Sequence, residues 1–186
     1  MKRIKTIFLL TLLLLVPVVQ TFAEVRPYVF RDLYWGESIE EIQAKRKTEY
    51  IVHDKRYDTT FYFVRLNKNE SKFVSEIPME SSFQARLWKN QLFEIVLYFS
   101  SGSQARTDAL MKSLNEALQI RYGKLELKGE NWISYRDNQT GIVLSAFPTN
   151  SYVKIILTNI DAVQPLIDES DDVRLKKKIK KANQGW

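Results

Sequence analysis

Residues 92–123, LFEIVLYFSSGSQARTDALMKSLNEALQIRYG, change their hydrophobic period in mid-run, and that change decides the fold class. Phe93, Ile95, Leu97 and Phe99 fall on one face at a spacing of two, the period of a β-strand with a buried side. Past Ser101-Gly102-Ser103, which offers an N-cap, the period lengthens. Ala109, Leu110, Leu114, Ala117, Leu118 and Ile120 recur at intervals of three and four, as on an amphipathic helix, and Gly123 stops it as the residue after the C-cap. The inward stripe includes Leu110, Leu114, Ala117 and Leu118, so the helix is expected to lie across a sheet.

Upstream, from Tyr50 to Phe99, the period is also two, with Thr59, Phe61 and Phe63 on one face. Asn67 to Ser71 reads as a hairpin loop, and Lys89-Asn90 as a tight turn between strands Phe83–Trp88 and Leu92–Phe99. Downstream, strands are expected at Leu125–Lys128, Asn131–Arg136, Gly141–Phe147 and Tyr152–Asn159, with turns at Asp137–Thr140 and Pro148–Asn150. Ahead of the first strands, Trp35-Gly36-Glu37 makes a turn and Ser38 to Glu41 forms a capping box. A short helix follows, with Ile39, Ile42 and the stem of Arg46 inward, and fades near Thr48.

The pattern predicts an α+β fold: an antiparallel sheet with helices packed on one face, built as two helix-then-meander units within residues 24–160. Residues 161–186 read as a charged helical tail, with Pro165 in its first turn. Asp168, Glu169, Asp171 and Asp172 precede Arg174, Lys176, Lys177, Lys178, Lys180 and Lys181, the order that suits a helix dipole.

The first 23 residues read as a cleavable export signal. Met1 to Lys5 carries three positive charges, Ile7 to Val19 is apolar apart from Thr11 and Pro17, and Thr21-Phe22-Ala23 places small residues where a signal peptidase reads. The apolar run is shorter than the roughly 20 residues of a bilayer-spanning helix and contains a proline. The mature chain is expected to begin at Glu24, in the periplasm or outside the cell. The sequence contains no cysteine, which removes acylation at the cleavage point, disulfides and thiolate metal sites. Of the 28 basic residues, Lys2, Arg3 and Lys5 leave with the signal, so 25 stand against 22 acidic ones, a net +3. So mild an excess, on an exported chain, argues against a nucleic-acid partner.

The start Trp35-Gly36-Glu37-Ser38-Ile39-Glu40-Glu41-Ile42, a helix ending Arg121-Tyr122-Gly123, Trp132 in a strand and the run Thr140-Gly141-Ile142-Val143-Leu144 together resemble small exported bacterial helix–sheet repeat proteins. These are the β-lactamase-inhibitor-like and BamE-like groups, the second of them outer-membrane-assembly lipoproteins. The resemblance covers about 110 residues and departs from the lipoproteins in lacking the acylated cysteine, so it carries no membrane anchor. It implies a binding or accessory role rather than a reaction.

Residues suited to catalysis are few. His53 is the only histidine, and Ile51 to Lys55 around it read as a strand end. One imidazole does not make the usual zinc site. Asp58-Thr59-Thr60 lacks the glycine of an aspartic-protease start. The six glycines nowhere form a phosphate-cradling loop. No catalytic, cofactor or metal residue is assigned.

The expected function is therefore that of a non-enzymatic accessory or binding protein acting on a partner protein or envelope component. The alternative is a small exported hydrolase using paired carboxylates. The partner-binding candidates are Tyr34 and Trp35, in the aromatic cluster with Tyr28 and Phe30, and the tail residues Lys176, Lys177, Lys178, Lys180 and Lys181, which suit an anionic membrane surface or an acidic partner.

Overall fold

The computed structural model describes residues 28–70, 73–74, 77–123, 127–169 and 171. The stretch read as an export signal and the basic part of the expected tail lie outside the described residues. Short strands β1 (Tyr28–Phe30) and β2 (Leu33–Tyr34) pair with one another. Helix α1 (Ile39–Lys45) leads into β3 (Thr48–Asp54) and β4 (Thr59–Arg65), and a two-stranded excursion, β5 (Phe73–Val74) and β6 (Ile77–Pro78), precedes β7 (Ser82–Trp88) and β8 (Gln91–Ser100). Helix α2 (Gln104–Tyr122) is followed by β9 (Leu127–Lys128), β10 (Trp132–Arg136), β11 (Thr140–Phe147) and β12 (Tyr152–Asn159). A third helix, α3, covers residues 160–169.

The expected two helix-then-meander units do not hold. Eight strands form one antiparallel sheet in the order β3-β4-β7-β8-β12-β11-β10-β9, joined through its middle by the pairing of β8 with β12, from Tyr152↔Ser100 to Thr158↔Glu94. The helices are not equivalent either. Among the described helices only α2 spans a face of the sheet, lying against β10, β11 and β12. Helix α1 has seven residues, about 10 Å of length, too short to cover four strands that span roughly 14 Å. It is fastened instead at the β7–β8 turn, where Asn90 Oδ1 accepts the Ile39 N–H at 3.2 Å. Nor do the helices share one face, because α3 packs on the side opposite α2.

Local chemistry explains the elements that match the sequence pattern. The capping box of α1 is complete: Ser38 Oγ accepts the Glu41 N–H at 3.3 Å and Glu41 accepts the Ser38 N–H at 2.8 Å. Lys89 (φ 49°) and Asn90 (φ 61°) are both left-handed, the geometry of a two-residue hairpin turn whose twist matches its strands. Gly123 (φ 76°) ends α2 and donates to Gln119 O at 2.9 Å. The Asn67–Ser71 hairpin loop differs from expectation. β4 pairs with β7 rather than with the next strand, so this segment opens a longer excursion, with Leu66 donating to Ser81 O at its base.

The core lies between the sheet and α2. Leu114 and Leu118 of the helix, with Leu110 half-buried beside them, meet Leu97, Phe99, Ile142, Leu144, Val153 and Ile155. Ile120, one of the periodic apolar residues, is 89% exposed. Tyr135 reaches up from β10 and donates its hydroxyl to Asn115 on the helix.

Candidate functional site

Directly opposed residues of antiparallel strands share a face, so the register sorts every side chain of the sheet. Phe83, Ala85, Leu97, Phe99, Leu144 and Ile155 point to α2. The other face carries Phe61 opposite Arg86, Phe63 opposite Gln84, Arg86 opposite Glu94, Lys154 opposite Tyr98, and Phe147 opposite Tyr152. Trp132, opposite Ser145, belongs to it as well.

Two sequence expectations change here. The Thr59, Phe61 and Phe63 side of β4 is not the core side, which is supplied by Val64, fully buried, while Phe63 is 38% exposed. Both registers of β4 are apolar or aromatic, so period alone does not say which one the helix covers. In β8, Leu87 opposes Leu92 and Arg86 opposes Glu94, leaving Phe93 as the extra residue of a bulge. Leu92 thereby takes the core position that simple alternation from Phe93 implies, and Phe93 joins Phe61 and Arg86 on the other side.

This second face combines rings and cations. Phe147 stacks on Tyr152 at 4.7 Å between centroids, and Tyr98 packs against Tyr152 at 5.9 Å. Lys154 Nζ stands 4.8 Å from the Phe147 centroid, and the Arg86 guanidinium 4.3 Å from that of Phe61. Burial pushes the Glu94 carboxyl above the usual carboxylate range, against the opposing pull of Arg86 and Lys154. Burial also raises the Tyr98 hydroxyl. Trp132 is 40% exposed, and among the described helices only α3 lies against this face, covering the end formed by β4, β7 and β8. Lys89 and Glu169, 2.6 Å apart, tie that helix down.

The sequence-derived candidates are dispersed. Trp35 is in the core, with its indole N–H donated to Thr140 Oγ1 at 3.2 Å, so a partner does not reach it. Its neighbour Tyr34 is at the surface with Lys45 Nζ 5.3 Å from its ring centroid. Phe30 packs edge-on to Phe83 at 5.3 Å, which makes the aromatic cluster chiefly a fastening for the lead-in. Lys176, Lys177, Lys178, Lys180 and Lys181 lie outside the described residues. His53 Nδ1 is 2.8 Å from Thr60 Oγ1 and its Nε2 is 3.7 Å from Asp58.

One charged cluster escapes sequence reading altogether. Arg46, expected to contribute only its stem, buries its guanidinium completely and pairs with both Asp32 and Glu70. Glu70 receives two parallel N–H bonds, Asp32 a third from Nε at 2.7 Å, and Arg46 lies above the Phe83 ring. These bonds hold the Glu70 carboxyl below its ordinary range. The three residues are far apart in sequence and their spacing carries no motif. Among the described residues no group of three or more His, Asp or Glu side chains could hold a metal ion, and no helix is long and apolar enough to cross a membrane. No family model matches this chain, and no curated protein or solved structure matches it.

Proposed function

We propose that the protein is an exported, non-enzymatic accessory protein that docks on a partner protein or envelope component through the sheet face opposite α2. The observation that carries this reading is the concentration of Phe63, Trp132, Phe147 and Tyr152, with Lys154 among them, on the part of the face that neither α2 nor α3 covers. Aromatic residues and arginine are the side chains most enriched where proteins bind one another, and apolar patches on a sheet face rarely stay exposed without use. The export signal and the resemblance to the BamE-like group support the same role, as does the basic tail, which would add attraction to an anionic surface.

Site-specific photo-cross-linking in the native host tests this. A photoreactive residue at Phe63 or Trp132 is expected to give one adduct of defined mass that the same residue at Ile120, on the outer side of α2, does not give. Equal adducts from both sides, or none from either, would remove the sheet-face reading. N-terminal sequencing of the host-purified protein checks the export reading, with Glu24 as the expected first residue.

A further inference from the structure

Beneath α3, on the same side of the sheet, lies a cavity of about 400 Å³, within the size range of small-ligand sites. Its apolar lining comes from Phe61 and Phe93 on the sheet and from Leu166 and Ile167 on the helix. Its charged lining residues are Asp54 and Arg86. Asp54 is already matched: Arg56 donates to it from its backbone N–H at 2.9 Å and from its guanidinium at 3.2 and 3.1 Å.

Arg86 is not matched to the same degree. A guanidinium offers five N–H donors, and among the described residues Arg86 has a single carboxylate partner, Glu94, at 3.2 Å from Nη1. Its Nε is closed off and, among the described residues, has no hydrogen-bond partner, so the donors open to a ligand are those of the terminal nitrogens on a side chain that is 35% exposed. The guanidinium itself lies over the Phe61 ring at 4.3 Å and near the Phe93 ring at 6.0 Å, so the group is oriented in advance. A planar fork of N–H donors fits a carboxylate with two parallel bonds, and the surrounding rings and aliphatic chains fit an apolar group attached to it.

The geometry points to a binding site for a carboxylate that carries an aromatic or branched apolar group, with Arg86 as the anion-binding residue and Phe61, Phe93 and Ile167 as the apolar wall. Such a carboxylate could be a free small acid or the C-terminus of a polypeptide ending in an apolar residue. The site goes beyond the reading of the open face as a protein interface and does not depend on it.

Titration calorimetry on the purified protein separates these cases. The probes are 4-phenylbutyrate and its neutral amide, and a short acetylated peptide ending in phenylalanine, as free acid and as C-terminal amide. The acids are expected to bind at least roughly tenfold more tightly than their amides. Tighter binding of the peptide acid indicates a chain terminus, and tighter binding of phenylbutyrate a free acid. Because Arg86→Gln alone leaves Glu94 buried beside a lost cation, the R86Q/E94Q double variant removes the pair together and is expected to abolish the preference for acid over amide. Ile167 is 44% exposed, so Ile167→Trp fills the cavity from its edge without touching the core, and it should weaken both acids while circular dichroism stays unchanged. Amides that bind as well as acids, acids that bind both variants as they bind the parent, or no saturable binding up to about 10 mM, a limit that corresponds to negligible affinity, would each overturn the assignment.

Discussion

The Trp35 indole N–H reaches the hydroxyl of Thr140, 105 residues away, in a buried hydrogen bond of 3.2 Å. It ties the segment before the first helix to the strand that follows the Asp137 turn, where Asp137 Oδ1 in turn accepts the Thr140 amide at 2.7 Å. Trp35→Phe keeps most of the ring volume but leaves the Thr140 hydroxyl without its donor, which should cost about 1–3 kcal/mol. Urea unfolding of W35F, T140V and the double variant measures the pair directly. Full additivity of the two single costs would show that the hydrogen bond contributes nothing.

Arg46 links three segments through two carboxylates, so removing it should cost more than an ordinary surface ion pair. Arg46→Ala is expected to destabilise by about 2–3 kcal/mol, because the buried stem over Phe83 is lost and Glu70, the more buried of the two carboxylates, loses its cation. Arg46→Met, which keeps the stem over Phe83, should recover part of that loss. A cost for R46A below about 1 kcal/mol would mean that the cluster is no more than a surface contact.

Glu70 and Glu94 should respond to pH with opposite signs. Arg46 lowers the folded-state pKa of Glu70, so its contribution is present above the unfolded carboxylate value of about 4.3 and fades as pH falls through the lower folded value. Burial raises the folded-state pKa of Glu94, so the folded protein gains stability as pH falls through that raised value and loses it as pH rises through it. Relative to the parent, Glu70→Gln should therefore be least harmful in acid, and Glu94→Gln should compare more favourably at pH 8 than at pH 5. Denaturant midpoints from about pH 3 to about pH 8 check both, Glu70→Gln at the acid end and Glu94→Gln above it, and parallel curves for parent and variant over the relevant part of that range would refute the assignment concerned.

Helix α2 offers a contrast along one element. Leu114 is fully buried, Leu110 half-buried and Ile120 89% exposed. Leu114→Asp should cost the most, well above about 2 kcal/mol, and Leu110→Asp should cost less, while Ile120→Lys should stay within about 0.5 kcal/mol. The same ranking by thermal unfolding would confirm which side of α2 meets the sheet.

Much of this architecture is legible in the sequence because it rests on local signals. Ser38 and Glu41 cap a helix wherever they occur at that spacing, and Gly123 and the Lys89-Asn90 pair mark their chain reversals. The misreadings come from long-range pairing. Nothing in residues 59–65 says whether Phe63 or Val64 faces a helix encoded forty residues later, since both registers are apolar. The bulge at Phe93 becomes visible only when Arg86 is seen opposite Glu94. The cavity under α3 was equally hidden, because Phe61, Arg86 and Ile167 come from three distant segments, and only the fold brings them together.

The place of β12 in the strand order has a consequence for how the chain is made. The last of the described strands pairs with β8 on one side and β11 on the other, in the interior of the sheet. Until residues 152–159 are available, both of those neighbours present a bare backbone edge, the surface on which strands of separate molecules join by mistake. A chain synthesised from its amino terminus carries that unfinished seam until residues 152–159 have emerged. Completion then depends on contacts of long sequence separation, which form slowly. The strand Tyr152–Asn159 is thus the closing piece of assembly, and a truncation before Tyr152 would leave two half-sheets without the backbone pairing that joins them.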